Sequence, residues 1–246
     1  MAENDTRTMR LALLIDADNS NPTRLPQLLA EITKYGTASV RRAYGNWTSG
    51  HLGGWKSGLL DHSIQPIQQF NYTTGKNATD SALIIDAMDL LYTGRLDGFC
   101  IASSDSDFTR LAARIREQGL VVYGFGERKT PQPFVAACDK FIYTELLGDD
   151  EDKPRQPAKK TTPTLKKDRK LTTLLRKAVD AASDDSGWAH LGAVGSNLVR
   201  LASDFDSRSW GFRKLKDLVA AHPAYLVEDR TSPDGKTSTL FIRSKK

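Results

Sequence analysis

Between residues 11 and 145, short apolar runs alternate with stretches whose apolar residues recur at helical spacing. Leu11–Ile15 reads as a buried strand that ends at Asp16. Leu25, Leu28, Leu29 and Ile32 share one helical face and predict a helix over Leu25–Tyr35, stopped by Gly36. Ala38–Tyr44 predicts a second strand, Trp55–Leu60 a short helix and Ile64–Phe70 a third strand. Ser81–Leu91 predicts an amphipathic helix, with apolar residues at 83, 84, 87, 88 and 91. Phe99–Ala102 reads as a buried strand and Phe108–Arg116 as a helix closed by Gly119. Leu120–Phe125 and Phe141–Tyr143 supply two more strands. Alternation of this kind predicts an α/β fold, a mostly parallel sheet covered by helices on both faces.

The pattern vanishes from Gly148 to Lys167. The segment DDEDKPRQPAKKTTPTLKK has three prolines and no apolar period, and it reads as a basic linker. Periodicity resumes with a helical face of Leu171, Leu174, Leu175, Ala178 and Val179. Leu191, Val194, Leu198 and Leu201 predict a second helix, and Phe212, Leu215, Leu218 and Val219 a third. Tyr225–Asp229, a turn at Pro233-Asp234-Gly235 and Ser238–Ile242 then read as a β-hairpin. Three helices and a two-stranded wing make a small winged helix-turn-helix domain. The predicted organisation is a domain over 1–147, a linker over 148–167 and a second domain over 168–246.

A length of 246 residues suits one medium domain and one small one. The formal net charge is +5, but its distribution is more telling. Residues 1–150 hold 15 Lys+Arg against 18 Asp+Glu, a net of −3. Residues 151–246 hold 20 against 12, a net of +8, which suits a polyanionic partner for the second half. Cys100 and Cys138 have no Cys or His at metal-ligand spacing, which argues against zinc. Met1 to Arg10 is polar, without an apolar signal core, and Leu11–Ile15 is too short to cross a bilayer. The expectation is a cytoplasmic protein without a membrane segment.

The candidate chemistry lies in carboxylates that follow strands: Asp16, Asp18 and Asn19 in LLIDADN, and Asp105 and Asp107 in CIASSDSDF. In an open parallel sheet, loops at the carboxyl ends of the strands meet along one edge, so the two clusters can converge. Asp80, at the start of the helix over 81–91, is a third acidic position. Asp86 and Asp89 point to other faces. Carboxylates brought together repel unless a cation sits among them, and hard divalent ions prefer such oxygen ligands. The plainer roles are helix caps and turns: Asp80 as an N-cap, Asp107 as a cap on the helix over 108–116, and Asn19 in a turn.

IDADN, then GKNATDSALIIDAMDL, then IASSDSDF, in that order and interval, resemble the NYN branch of the PIN-like ribonucleases. The resemblance covers residues 10–146, including RRAYGNW and GLVVYGFG. It implies a PIN-like α/β/α sandwich and a ribonuclease, endonucleolytic in mode, that depends on Mg²⁺ or Mn²⁺. By motif position Asp16, Asp80, Asp105 and Asp107 match the family's acidic residues, as catalytic groups and metal ligands, and Asn19 matches the Asn beside the first Asp. Ala17 stands where the family often carries another small residue or Gly. Arg41, Arg42 and Trp47, near a strand end, and Lys76 of the GKNATD motif are candidate RNA contacts.

Residues 169–243 resemble the OST-HTH/LOTUS family. Gly187-Trp188-Ala189, Val194-Gly195, FDSRSWGFRKLKDLV and FIRS carry the likeness. It implies a winged-helix module for single-stranded or structured RNA, G-rich RNA included, or for a protein partner. Arg208, Arg213, Lys214 and Lys216 are its candidate RNA contacts. Two other readings compete with the nuclease. One is a non-catalytic RNA-binding scaffold built from the same folds. The other is an aspartate-nucleophile phosphatase, which Ser20-Asn21 fits poorly. The pattern leaves the oligomeric state open.

Overall fold

Every residue of the first strand after Arg10 is buried, so this segment forms the centre of a sheet covered on both faces. The computed structural model describes residues 7–48, 50–70, 78–148, 162–231 and 238–245. They fall into two compact units, one up to Gly148 and one from Thr162.

In the first unit β1 (Arg10–Asp16), β2 (Thr37–Gly45), β3 (Gln65–Gln68), β4 (Gly98–Ala102), β5 (Val121–Gly126) and β6 (Lys140–Tyr143) form one parallel sheet in the order β3-β2-β1-β4-β5-β6. Side chains alternate across it. Leu11, Leu13 and Ile15 enter one core layer with α1 (Leu25–Ile32) and α2 (Lys56–Asp61). Ala12 and Leu14 enter the other layer with α3 (Ala78–Tyr92), α4 (Thr109–Glu117) and α5 (Gln132–Ala137). The result is the predicted α/β/α sandwich. The strand order reverses between β1 and β4, and the crevice outside their carboxyl ends is where an open α/β sheet holds its ligand.

In the second unit α6 (Thr162–Lys167), α7 (Arg169–Asp180), α8 (Leu191–Leu201) and α9 (Leu215–Ala221) accompany an antiparallel sheet. Its strands are β7 (Trp188–His190), β8 (Tyr225–Thr231) and β9 (Ser238–Ser244), in the order β7-β9-β8. Leu171, Leu175, Val194, Leu198, Leu218 and Ile242 meet in one core. Asp168 caps α7 through the Leu171 N–H and accepts the Trp210 indole N–H at 2.8 Å, tying the 3-10 turn Ser207–Trp210 to the start of α7.

Several details differ from the periodicity. The sequence puts no structure between Gly148 and Lys167, yet Thr162–Lys167 is helical and Leu165 is fully buried in the core. One leucine among lysines and prolines carries no period. α5 and β7 were not predicted, because six and three residues are too few to display one. α3 begins at Ala78 rather than 81, and α9 at Leu215 rather than Phe212. The hairpin turn at 233–235 and the linker over 149–161 lie outside the described residues.

Candidate active site

β1 ends on Asp16, which is fully buried, and the chain leaves the sheet through Ala17, whose N–H donates to the Tyr44 carbonyl at 2.9 Å. Asp16 Oδ2 accepts the Ser103 hydroxyl at 2.7 Å and the Asn19 side-chain amide at 3.0 Å, and Oδ1 faces the Asn19 backbone N–H at 3.3 Å. Burial pushes the Asp16 carboxyl above its ordinary range. The hydrogen bonds from Ser103 and Asn19 oppose that shift, and Asp18 adds to it.

Beyond β4, Ser103 makes a second contact: its Oγ accepts the Asp105 backbone N–H at 3.1 Å. One buried hydroxyl therefore joins the β1 and β4 loops. Asp105 Oδ1 accepts the Asp107 N–H at 2.9 Å and caps the short 3-10 turn Ser106–Phe108 that leads into α4. The cap role anticipated for Asp107 belongs to Asp105, because that turn comes before the helix. Asp80 is not an N-cap either. It lies in the first turn of α3, so its carboxylate is held over the strand ends from the third side.

Oxygen atoms of Asp80, Asp105 and Asp107 lie within 4.8 Å of one another; Asp80 is buried, Asp105 half-buried and Asp107 exposed. The Asp80 carboxyl is pushed up to about 6, by burial first and then by the charges of Asp16, Asp105, Asp107 and Asp18. Asp16 stands outside this triad but within its field. Asp18, at the exposed rim, accepts the Thr79 hydroxyl at 2.9 Å and so ties the β1 loop to the start of α3.

Two glycines keep this edge open. A Cβ on Gly126, the last residue of β5, would sit 2.6 Å from the Ser103 carbonyl oxygen. One on Gly45, ending β2, would sit 2.6 Å from Leu52 Cδ1 and 3.3 Å from Asp18 Oδ1. Both loops that carry the carboxylates pass where those side chains would be.

Ser103 and Thr79 are the site residues that the sequence reading did not single out. Their signal was proximity, Ser103 within IASSDSD and Thr79 immediately before Asp80. Hydroxyl residues in loops are too common for that to stand out. The predicted basic and aromatic residues are engaged elsewhere. Arg41 donates to the Ala38 and His62 carbonyls, each at 3.0 Å. Arg42 and the Tyr44 hydroxyl both pair with Asp86 on α3. The Trp47 indole N–H donates to the Ile67 carbonyl at 2.9 Å. Lys76 lies outside the described residues. In the second unit Arg208 is paired with Asp206 at 2.6 Å and half-buried, while Arg213, Lys214 and Lys216 are exposed around the start of α9. No described helix is long and apolar enough to cross a membrane.

Family models match the chain twice, in the predicted order: the NYN domain over residues 10–147 and the OST-HTH/LOTUS domain over residues 163–237. No curated protein matches it. Among solved structures, the chain is similar to a protein of unknown function from Vibrio parahaemolyticus, at 18% identity and a TM-score of 0.49, covering 57% of this chain and 95% of that one. It is also similar to an uncharacterized protein from Nitrosomonas europaea, at 40% identity and a TM-score of 0.28, covering 30% of this chain and 71% of that one.

Proposed function

This chain belongs to the NYN domain family and carries an OST-HTH/LOTUS domain after it, and from that premise we propose that it is a divalent-metal-dependent ribonuclease. The reaction is hydrolysis of RNA phosphodiester bonds within the strand, in the cytoplasm. The domain over 1–147 cuts and the domain over 168–246 holds RNA. The observation that carries this reading is the convergence of Asp80, Asp105 and Asp107 within 4.8 Å at the sheet's switch point.

The donor set fits a hard divalent ion. It offers only carboxylate oxygens, with neither thiolate nor imidazole, which suits Mg²⁺ or Mn²⁺. Burial first, and then the charges of Asp16, Asp105, Asp107 and Asp18, raise the proton affinity of Asp80, and a cation among these carboxylates would relieve their repulsion. Asp80, Asp105 and Asp107 would hold the ion, with Asp16 beside them completing the charge. When bound, such an ion neutralises the scissile phosphate and lowers the pKa of water.

The chain's own residues set the geometry. Ser103 fixes the Asp16 carboxylate and the Asp105 backbone with one hydroxyl. Asn19 donates to Asp16 from its amide side chain and holds the carboxylate in one orientation. Thr79 holds Asp18 at the rim and ties the β1 loop to the start of α3.

The test is cleavage of a 5′-labelled RNA with structured and single-stranded parts, in Mg²⁺, in Mn²⁺ and in EDTA, by wild type, Asp16→Asn and Asp105→Asn. Cutting that needs the ion and disappears in both folded variants supports the enzyme. Tight, salt-sensitive binding without cutting in either ion would make the chain an RNA-binding scaffold.

A further inference from the structure

In a two-layer domain a sheet buries one face and turns the other to water. The register of the second unit's sheet assigns the faces: Trp188 lies opposite Arg243, His190 opposite Phe241, and Ala189 opposite Ile242. Ala189 and Ile242 are fully buried in the core. By alternation, the other face carries Trp188, His190, Arg230, Phe241 and Arg243.

That face is unusual for its chemistry. The Arg243 guanidinium lies 4.7 Å from the Trp188 ring centre. Arg230 lies 4.6 Å from Trp188 and 4.5 Å from Phe241. His190 meets Phe241 edge-on at 5.8 Å. Guanidinium planes and aromatic rings thus form a continuous strip across three strands. A solvated sheet face gains little from two large aromatics, and an exposed cation–π pair is worth only about 0.5–1 kcal/mol. Glu228 takes one edge of Arg230 at 3.0 Å, which holds that guanidinium in place over the rings.

We propose that this face is a stacking platform for single-stranded RNA. It rests on the RNA-holding role of the second unit and gives that role a surface distinct from the α9 region, where Arg213, Lys214 and Lys216 lie. Unpaired bases stack on aromatic rings and on arginine planes, while guanidinium edges pair with the phosphates between them. A duplex hides its bases and gains only the charge contacts. The net charge of +8 over residues 151–246 complements the strand.

The experiment measures fluorescence anisotropy of a labelled, unstructured A- and U-containing oligonucleotide on the full chain, with EDTA present to prevent cutting. The variants are Trp188→Leu, Phe241→Leu, Trp188→Phe, the pair Arg230→Gln/Arg243→Gln, and the pair Lys214→Gln/Lys216→Gln, each checked for native circular dichroism. The two Leu variants are expected to bind about tenfold more weakly, with Trp188→Phe retaining most of the affinity. The Arg pair removes two phosphate contacts and flattens the salt dependence by a slope of roughly 1.4. The arginines are partly exposed, so that pair keeps the test open if a Leu variant does not fold. Folded variants of the strip that bind like wild type overturn the platform. If the Lys pair alone weakens binding, RNA sits by α9, the strip is left for a protein, and the platform is again overturned. A wild-type chain that binds no RNA overturns the RNA-holding role together with the platform.

Discussion

Replacing Asp80 by Asn should make the metal-free protein more stable at neutral pH while removing its response to metal. The Asp80 carboxyl is raised from 3.8 to about 6, so the native chain holds that proton more tightly than the unfolded chain does. The cost of carrying the charge is absent below the unfolded value, grows as pH rises toward about 6 and is constant above it. At ~1.4 kcal/mol for each tenfold change in proton affinity, the ceiling is about 3 kcal/mol. Asp105 is half-buried and Asp107 exposed, so water reaches the cluster. Screening brings the expected gain down to roughly 1–2 kcal/mol. For a domain of this size that is a rise in Tm of roughly 3–8 °C. The assay is thermal unfolding in EDTA at a series of pH values, wild type against Asp80→Asn. The variant's advantage should be full above pH 7 and vanish as pH falls toward 4. Mn²⁺ at a hundred times its Kd should then stabilise wild type by about 2.7 kcal/mol and the variant by much less. A variant less stable than wild type in EDTA at pH 7.5, or a gap that does not narrow with acid, would refute the electrostatic argument.

Three further outcomes follow from neighbouring contacts. Ser103→Ala strips the buried Asp16 of its hydroxyl donor; it should cost about 1–3 kcal/mol in urea denaturation and slow RNA cleavage, and an unchanged rate would show that Ser103 does not position the site. Gly126→Ala drives a Cβ to 2.6 Å from the Ser103 carbonyl oxygen; the expected loss is about 1–3 kcal/mol by urea denaturation, and a neutral effect would mean that the β4 loop yields freely. Burial pushes the Cys100 thiol up, and that of Cys138 to about 12; both should resist a thiol reagent at pH 8 until urea is added, whereas rapid native labelling would place them nearer the surface.

The sandwich was legible because β1 and β4 are unbroken apolar runs, buried on both faces, and α3 repeats its apolar positions at helical spacing over fifteen residues. Strand direction then followed from the helices between strands, and it brought Asp16, Asp80 and the Asp105-Asp107 pair to one edge without any three-dimensional information. Shorter elements escaped. α5 has six residues and β7 three, and Leu165 is a lone apolar position that becomes core only because α7 and its partners stand ready to cover it. Side-chain commitments were also invisible. Arg42 is a cation near a strand end in the sequence, but in the fold it is held by Asp86, forty-four residues away. The same holds for Arg208, whose partner Asp206 sits two residues back and half-buried. A charge can be counted from the sequence, but whether it is available to RNA depends on what it already touches.

In the proposed reaction one carboxylate cluster binds a divalent ion, and this ion enables RNA cutting. This is tested most directly by titrating the full chain with Mn²⁺ while following bound ion by electron paramagnetic resonance and cleavage of labelled RNA in the same samples, for wild type and Asp105→Asn. Binding and cutting should rise with one midpoint in wild type, and both should be lost in the folded variant. Cutting that persists in EDTA, or that survives in Asp105→Asn without bound ion, would contradict the proposed reaction.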